Sequence, residues 1–216
     1  MVKIIGKENS LLNQYISELR DVNIQKDSLR FRKNLERVGE IFAYEISKKL
    51  DFEEKEIITS LGTAHVKTLK EFPVLAVILR AGLPFHQGVL NFFDKSENAF
   101  ISAYRKYYKD GNFKIHIKYV SKPEIENRPL IIIDPMLASG MTMGHTYREL
   151  VNDQKPKHTH MISVLASMEG VNYVKRNFSG SEVTLWVGAI DDELTAQAYI
   201  VPGLGDAGDL AFGSKI

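Results

Sequence analysis

The sequence predicts an α/β protein built on a parallel sheet, and three observations carry this prediction. Short apolar runs recur along the chain, and most of them are followed by a turn signal and a stretch with helical periodicity. These runs are continuous rather than alternating, which is typical of strands that are covered on both faces. The chain has 216 residues, of which 44% are hydrophobic and 25% charged, so a single domain spanning residues 1–216 is expected.

The first elements are expected to be helices. Apolar residues recur every three to four positions over residues 10–20 and 28–50, and Asp27 or Ser28 is a suitable N-cap for the second helix. Strands and helices then alternate. The predicted strands cover residues 73–79, 98–104, 130–133, 160–166 and 183–190. The later helices are predicted over residues 85–93, 142–152 and 170–178.

One segment has a different period. Apolar residues alternate with Lys and His from Phe113 to Tyr119, and Asp110 and Gly111 come just before. This pattern predicts a β-hairpin arm whose first strand covers residues 104–108. The arm could be a flap over an active site, a contact between subunits or plain surface structure, and periodicity does not choose among these.

Charge and cysteine content exclude several classes of function. Lys and Arg total 28 against 27 Asp and Glu, a net charge of +1, so we expect neither nucleic acid nor an anionic membrane as partner. The absence of cysteine excludes disulfides, thiolate metal sites and a Cys nucleophile. Because no apolar run approaches the roughly 18 residues of a membrane span, we expect a cytoplasmic protein.

The strongest chemical signal follows the apolar run at residues 130–133. The run ends in Asp134, and a loop of small residues then opens a helix near Thr142. Backbone N–H groups in such a loop, together with the helix N-terminus, favour a phosphate group. Asp134 could accept hydrogen bonds from sugar hydroxyls. The alternative is an ordinary strand-to-helix turn in which Asp134 is a cap.

Two further segments suggest a site. The run ending at Leu79 is followed by Arg80, whose guanidinium suits phosphate or pyrophosphate oxygens, although a surface arginine is the alternative. Near the C-terminus, Gly203, Gly205 and Gly208 match the spacing of a dinucleotide fingerprint. Only eight residues follow Gly208, too few for the rest of that fold, so this interpretation is excluded. The glycines instead leave backbone groups accessible to a small planar ligand.

Other polar residues are assigned no catalytic role. The pair His158 and His160 has no nearby residue that completes a metal site, and residues 191–193 are predicted to form a polar loop after the last strand. Four further histidines are isolated along the chain: His65, His86, His116 and His145.

Taken together, these segments resemble one known family. Asp134-Pro-Met-Leu-Ala-Ser-Gly, Ile78-Leu-Arg-Ala-Gly and Tyr199-Ile-Val-Pro-Gly-Leu-Gly-Asp-Ala-Gly-Asp look like the motifs of uracil phosphoribosyltransferases, and weaker similarity covers nearly the whole chain. The resemblance implies a phosphoribosyltransferase fold with N-terminal helices, a hairpin arm and a C-terminal hood that binds the base. It also implies transfer of phosphoribose from 5-phosphoribosyl-1-diphosphate to uracil, giving UMP and pyrophosphate, with Mg²⁺ and in a homo-oligomer.

The resemblance also assigns site residues. The catalytic residues would be Asp134, Arg80 and Arg105. The residues that bind the sugar diphosphate would be Arg80, Arg105, Asp134, Pro135, Met136, Leu137, Ala138, Ser139, Gly140, Met141, Thr142 and Asp206. Those that bind uracil would be Ile200, Gly205, Asp206 and Ala207. No protein ligand to a metal is implied, because Mg²⁺ would arrive on the diphosphate.

Among the departures of the sequence from the family pattern, two bear on the predicted diphosphate site. Met141 stands where the family usually has a Gly that could adopt positive φ, and Lys106–Lys109 replaces an acidic run after Arg105. Two alternatives therefore stay open. One is a related transferase with another base preference, and the other is a non-catalytic module that senses the sugar diphosphate or a nucleotide.

Overall fold

The computed structural model describes residues 1–107, 113–178, 180 and 182–214, without the side chains of residues 104–107 and 113–114. The strands are β1 (Val2–Ile4), β2 (Phe52–Thr59), β3 (Gly62–Leu69), β4 (Val74–Leu79), β5 (Asn98–Tyr107), β6 (Phe113–Ser121), β7 (Pro129–Ile133), β8 (Met136–Leu137), β9 (His158–Ser167), β10 (Val183–Asp191), β11 (Glu193–Leu194) and β12 (Ile200–Val201). The α-helices are α1 (Leu11–Arg20), α2 (Ser28–Ser47), α3 (Leu83–Phe92), α4 (Met141–Leu150), α5 (Met168–Asn177) and α6 (Ala207–Phe212), with one 3₁₀ turn at Ile5–Lys7.

Within this described part of the chain, an eight-stranded sheet forms the centre of the fold. Its strands lie in the order β1-β10-β9-β7-β4-β5-β6, with β8 beside β9. All neighbours are parallel except β5 and β6, which form the antiparallel arm. The predicted parallel α/β fold is therefore confirmed, and each of the five predicted strands and five predicted helices is present with shifted ends.

Both faces of the sheet are covered, which explains the continuous apolar runs. Alternate residues of one strand enter different cores: Ile131 and Ile133 pack on the side of α1, α2 and α3, whereas Leu130 and Ile132 pack on the side of α4 and α5. Each of these four side chains is fully buried. Because both kinds of position are apolar, the sequence shows no alternation in these strands.

Local capping begins the two N-terminal helices. Asp27 is the N-cap of α2, and its side chain accepts a hydrogen bond from the Arg30 N–H at 3.0 Å. Ser10 caps α1 in a capping box with Asn13. The apolar faces of both helices then pack against the sheet, so the order of the first elements follows from sequence signals that lie close together.

One hairpin was not predicted. Strands β2 and β3 pair only with each other in the described structure, and most of their residues are exposed. Ile58 is 89% exposed and Leu61, in the connecting turn, is 97% exposed. A hairpin with no buried face shows little of the two-residue periodicity on which strand prediction depends. No helix in the described part of the chain is both long and apolar enough to cross a bilayer.

Candidate active site

An open cleft of about 840 Å³ lies at the carboxyl ends of β4 and β7. Its walls come from three regions of the fold: the end of β4 with the middle of its neighbour β5, the loop after β7, and the segment that leads into α6. The lining residues are Ile78, Leu79, Arg80, Ala81, Ser102, Ala103, Asp134, Met136, Ala138, Thr142, Ala198, Tyr199, Ile200, Gly205, Asp206, Ala207 and Gly208. In an open α/β sheet this edge is where ligands bind.

The pairing of β4 with β7 brings Arg80 and Asp134 to the same edge. The strands are parallel with Val77 opposite Ile133, so Asp134 directly follows one strand while Arg80 follows its neighbour. Arg80 is not a lone surface arginine. Its Nη2 donates to Asp209 Oδ1 at 2.8 Å and to the Gly213 carbonyl, and both acceptors lie in or just after α6.

The loop after β7 ends in a helix N-terminus that no side chain caps. The N-cap of α4 is Gly140, whose φ of +79° suits glycine, and Tyr173 packs so closely that a Cβ at this position would lie 2.8 Å from its ring. Asp134 is therefore not the cap of this helix. Its Oδ1 accepts from the Met136 N–H at 3.2 Å, within the turn itself. At this N-terminus the Met141 N–H makes only a long contact, 3.5 Å, with Ser139 Oγ, and residues on both sides of Met141 line a small cradle suited to an oxyanion.

Two residues at the start of α5, its N-cap Ser167 and Gly170, hold this loop in place through contacts with Ala138. Ser167 Oγ donates to the Ala138 carbonyl at 2.6 Å and accepts from the Gly170 N–H at 2.9 Å. A Cβ on Gly170 would lie 2.4 Å from the same carbonyl oxygen, so only glycine allows α5 to approach so closely. The shape of the loop is thus held by contacts that do not involve a ligand.

A buried ion pair holds the C-terminal segment. Arg20 at the end of α1 donates from Nη1 and Nη2 to the two oxygens of Asp191, each at 2.7 Å, and Nη1 also donates to the Gly203 carbonyl at 2.9 Å. The Gly203 N–H donates back to Asp191 Oδ2 at 2.9 Å. Burial raises the pKa of Asp191, but the hydrogen bonds and charge of Arg20 outweigh burial, so the pKa lies below its ordinary value.

The interpretation of residues 191–193 as a polar loop was incomplete. Asp191 is the last residue of β10 and is buried. Asp192 alone separates it from the short strand β11, which begins at Glu193. The signal was present in the sequence, because Asp191 ends an apolar run just as Asp134 does. What the sequence did not reveal is which residue pairs with Asp191, since Arg20 lies 171 residues earlier in the chain.

Most residues that the sequence assigned to the site border the cleft or the adjoining cradle of the loop. The exceptions among the described side chains are Pro135 and Met141, which line neither. Arg105 lies on β5 opposite Ile115, but its side chain is outside the described residues, as is the tip of the arm at residues 108–112. Met141 is the first residue of α4, while Gly140 provides the positive φ, so the methionine forces no strained turn.

The histidines form no site. His160 is buried, and its Nδ1 accepts a hydrogen bond from Trp186 Nε1 at 3.0 Å. Burial and the neighbouring charges of His158 and Lys3 lower the pKa of His160 to about 3, so this ring is neutral. Among the described residues no three His, Asp or Glu side chains converge on a possible metal position.

Comparison with known proteins identifies the family. The sequence profile of uracil phosphoribosyltransferases matches residues 6–214. The chain belongs to the uracil phosphoribosyltransferase family. The protein is therefore a phosphoribosyltransferase enzyme. It transfers phosphoribose to uracil and forms UMP in pyrimidine salvage.

Individual relatives cover almost the whole chain. A uracil phosphoribosyltransferase of Porphyromonas gingivalis is 52% identical over 98% of both chains. One from Methanococcus maripaludis is 38% identical over 96% of this chain and 88% of its own length. A solved structure of an Aquifex aeolicus protein superposes with a TM-score of 0.88 at 30% identity, covering 100% of each chain.

Proposed function

We propose that the cleft holds 5-phosphoribosyl-1-diphosphate across the ends of β4 and β7 and uracil against the segment of residues 200–207. The observation that supports this assignment is the meeting of three distant segments around one cleft. Each of the three carries groups suited to a different part of the two substrates.

The loop after β7 is proposed to hold the phosphoribosyl group. Asp134 accepts hydrogen bonds from the ribose hydroxyls, and backbone N–H groups of residues 138–142 surround the 5′-phosphate. The uncapped N-terminus of α4 and the bracing by Ser167 favour a preformed oxyanion cradle. Pro135 and Met141 act through the backbone of this loop rather than through their side chains.

The leaving pyrophosphate is assigned to arginines. Arg80 and Asp134 both line the cleft, and Arg105 is a residue of the neighbouring strand β5. Guanidinium groups suit phosphate oxygens because they present several N–H donors in a plane and keep their charge at any working pH. Asp206 is proposed to face the same substrate from the opposite wall.

Uracil is proposed to be read by backbone groups. One edge of uracil presents an acceptor, a donor and an acceptor, and backbone N–H and C=O groups can pair with all three. Ile200, Gly205 and Ala207 line the cleft, and their backbone groups are proposed to make these pairs. Gly205 adopts a φ of +89°, a conformation that orients its amides in a way side-chain-bearing residues rarely do.

The chemistry needs positioning and charge rather than a covalent intermediate. The anomeric carbon becomes oxocarbenium-like as the pyrophosphate leaves, so fixed positive groups around the leaving oxygens lower the barrier. Holding the uracil nitrogen close to that carbon removes the entropic cost of bringing two reactants together.

Mg²⁺ is proposed to enter with the diphosphate. The described residues contain no ready-made metal cluster, and Mg²⁺ bound to substrate phosphates needs only one or two carboxylates with water. Asp134 and Asp206 line the cleft and would provide those oxygens. When bound, the ion offsets negative charge on the diphosphate.

The test measures pyrophosphate release with uracil, cytosine, hypoxanthine or no base, each with Mg²⁺ and the sugar diphosphate. We expect release with uracil only. Asp134→Asn should lower kcat/KM for the sugar diphosphate at least about tenfold without changing Tm, because hydrogen bonds to the ribose are lost. Asp153→Asn is the matched control, since Asp153 is exposed in the loop after α4 and far from the lining residues. Normal kinetics in Asp134→Asn would remove this residue from the site.

We also propose a homo-oligomer. The exposed β2–β3 hairpin, with Ile58 and Leu61 almost fully accessible, is the described surface best suited to contact a second copy. Light scattering coupled to size exclusion checks this proposal, and a monomer mass at working concentration would contradict it.

A further inference from the structure

The guanidinium of Arg80 is only partly used in the described structure. Nη2 donates both of its hydrogens, one to Asp209 Oδ1 at 2.8 Å and one to the Gly213 carbonyl. Nε is buried, yet no group in the described residues accepts its hydrogen. An arginine has five N–H donors. Nε is enclosed by the protein, but Arg80 lines the cleft, and no group in the described residues accepts a hydrogen bond from its Nη1. Nη1 is therefore the part of the guanidinium that remains for an acceptor supplied by a ligand.

Asp209 is itself held rigidly. Its N–H donates to the side chain of Asp206, the N-cap of α6, at 2.9 Å. The other end of the same helix is fixed to α2, because Arg32 Nη1 donates to the Ala211 carbonyl at 2.7 Å. The helix packs against Arg80, since a Cβ on Gly208 would be at ordinary contact distance, 3.7 Å, from Nε. The carboxylate therefore reaches Arg80 from a short helix with little freedom to move.

We propose that Asp209 is a positioning residue that acts through Arg80 on the diphosphate. By holding Nη2, the carboxylate fixes the plane of the guanidinium and leaves the Nη1 group for the diphosphate oxygens. Asp209 does not contact the substrate. This proposal rests on the proposed function, which assigns Arg80 to the diphosphate.

A competing role for the carboxylate makes the opposite prediction. Asp209 could occupy Arg80 in place of the ligand, and its negative charge would then oppose a polyanion. The Arg80 and Asp209 side chains are 34% and 39% exposed, so solvent screens that repulsion. The geometry favours positioning, because Asp209 engages only Nη2 and leaves Nη1 without a partner among the described residues.

The test is a double-mutant cycle on Arg80→Gln, Asp209→Ala and the double variant, with Asp209→Asn as the conservative change. Calorimetry measures the Kd of inorganic pyrophosphate with Mg²⁺, and kinetics measure KM for each substrate. We expect Asp209→Ala to weaken pyrophosphate binding about tenfold and Asp209→Asn less, because the amide oxygen still accepts a hydrogen bond. The double variant should bind no more weakly than Arg80→Gln alone, and KM for uracil should change less than about twofold.

Glu97→Gln is the matched control. It removes the charge from another exposed carboxylate that pairs with an arginine, Arg128, away from the lining residues of the cleft. This variant should keep wild-type pyrophosphate affinity, and its Tm should fall about as much as that of Asp209→Asn.

Three results would overturn the proposal. Tighter binding in Asp209→Ala would show that the carboxylate competes with the ligand, and additive losses in the double variant would show that Asp209 does not act through Arg80. Wild-type affinity in both Asp209 variants would show that Asp209 has no role in pyrophosphate binding. If Arg80→Gln also binds normally, the assignment of Arg80 fails as well, whereas a weak Arg80→Gln beside normal Asp209 variants rejects the role of Asp209 alone.

Discussion

Two arginine–aspartate pairs hold the same C-terminal segment, one near each end. They differ in the number of engaged carboxylate oxygens and in the exposure of their side chains. The Arg20–Asp191 pair holds Gly203, whereas the Arg80–Asp209 pair holds α6. In the first pair both carboxylate oxygens are engaged at 2.7 Å, and the side chains are 23% and 6% exposed. In the second pair one oxygen is engaged, and the side chains are 34% and 39% exposed.

The difference separates a structural pair from one prepared for a ligand. Asp191 also accepts from the Gly203 N–H, so the buried pair forms a closed set of hydrogen bonds around the turn. The pair at Arg80 leaves Nη1 at the cleft without a partner among the described residues. A saturated pair inside the protein maintains shape, while an unsaturated one at a cleft retains binding capacity.

The largest expected effect comes from breaking the buried pair. Asp191→Asn should lower the free energy of unfolding by about 3 kcal/mol, because Arg20 is left as a charge without its counter-ion. Asp209→Asn should lower it by less than about 1 kcal/mol, since its pair is exposed to solvent. Urea unfolding at pH 7 measures both. Equal losses would remove the distinction between the two pairs.

The next largest effect is expected at Gly205, which lies between Gly203 and α6, the two places that the pairs hold. At Gly205, a Cβ would meet only Leu210 and Gln25 atoms at 3.9 and 4.0 Å, so a side chain finds room, but the φ of +89° disfavours any β-branched residue. Gly205→Val should weaken uracil binding about tenfold or more, since the left-handed region costs roughly 1–2 kcal/mol and the side chain borders the cleft.

Binding of the sugar diphosphate to Gly205→Val should change less than about twofold, because its proposed contacts lie on the other wall of the cleft. Calorimetry with each ligand separates the two effects. If both ligands weaken equally, or uracil is unaffected, the turn has a purely structural role.

The smallest effect is expected at Met141, which lies outside the C-terminal segment that the two pairs hold. This residue begins α4 with helical backbone and lines neither the cleft nor the cradle, so Met141→Gly should change KM for the sugar diphosphate less than about threefold. Steady-state kinetics provide the measurement. A large fall in this KM would mean that the methionine restricts the phosphate loop at the α4 end of the cleft.

Much of the fold could be predicted because its signals are local. The apolar runs at β4, β7, β9 and β10 mark strands that are buried on both sides, and Asp27 marks the start of α2. The positions of Arg80 and Asp134 at one edge followed from parallel strand ends. The β2–β3 hairpin was missed for the complementary reason, since exposed strands have no core face to leave a pattern.

The α/β class, the three motifs of the cleft and, through its resemblance, the family can be recognised from the order of the residues alone. Which charges meet depends on how the chain folds. Arg20 finds Asp191 across 171 residues, and Arg80 finds Asp209 across 129. Secondary structure depends on the order of neighbouring residues, whereas an ion pair depends on which strands and helices pack together. The sequence contains both arginines and both aspartates, but their different burial, and with it their different roles, exists only after the chain has folded.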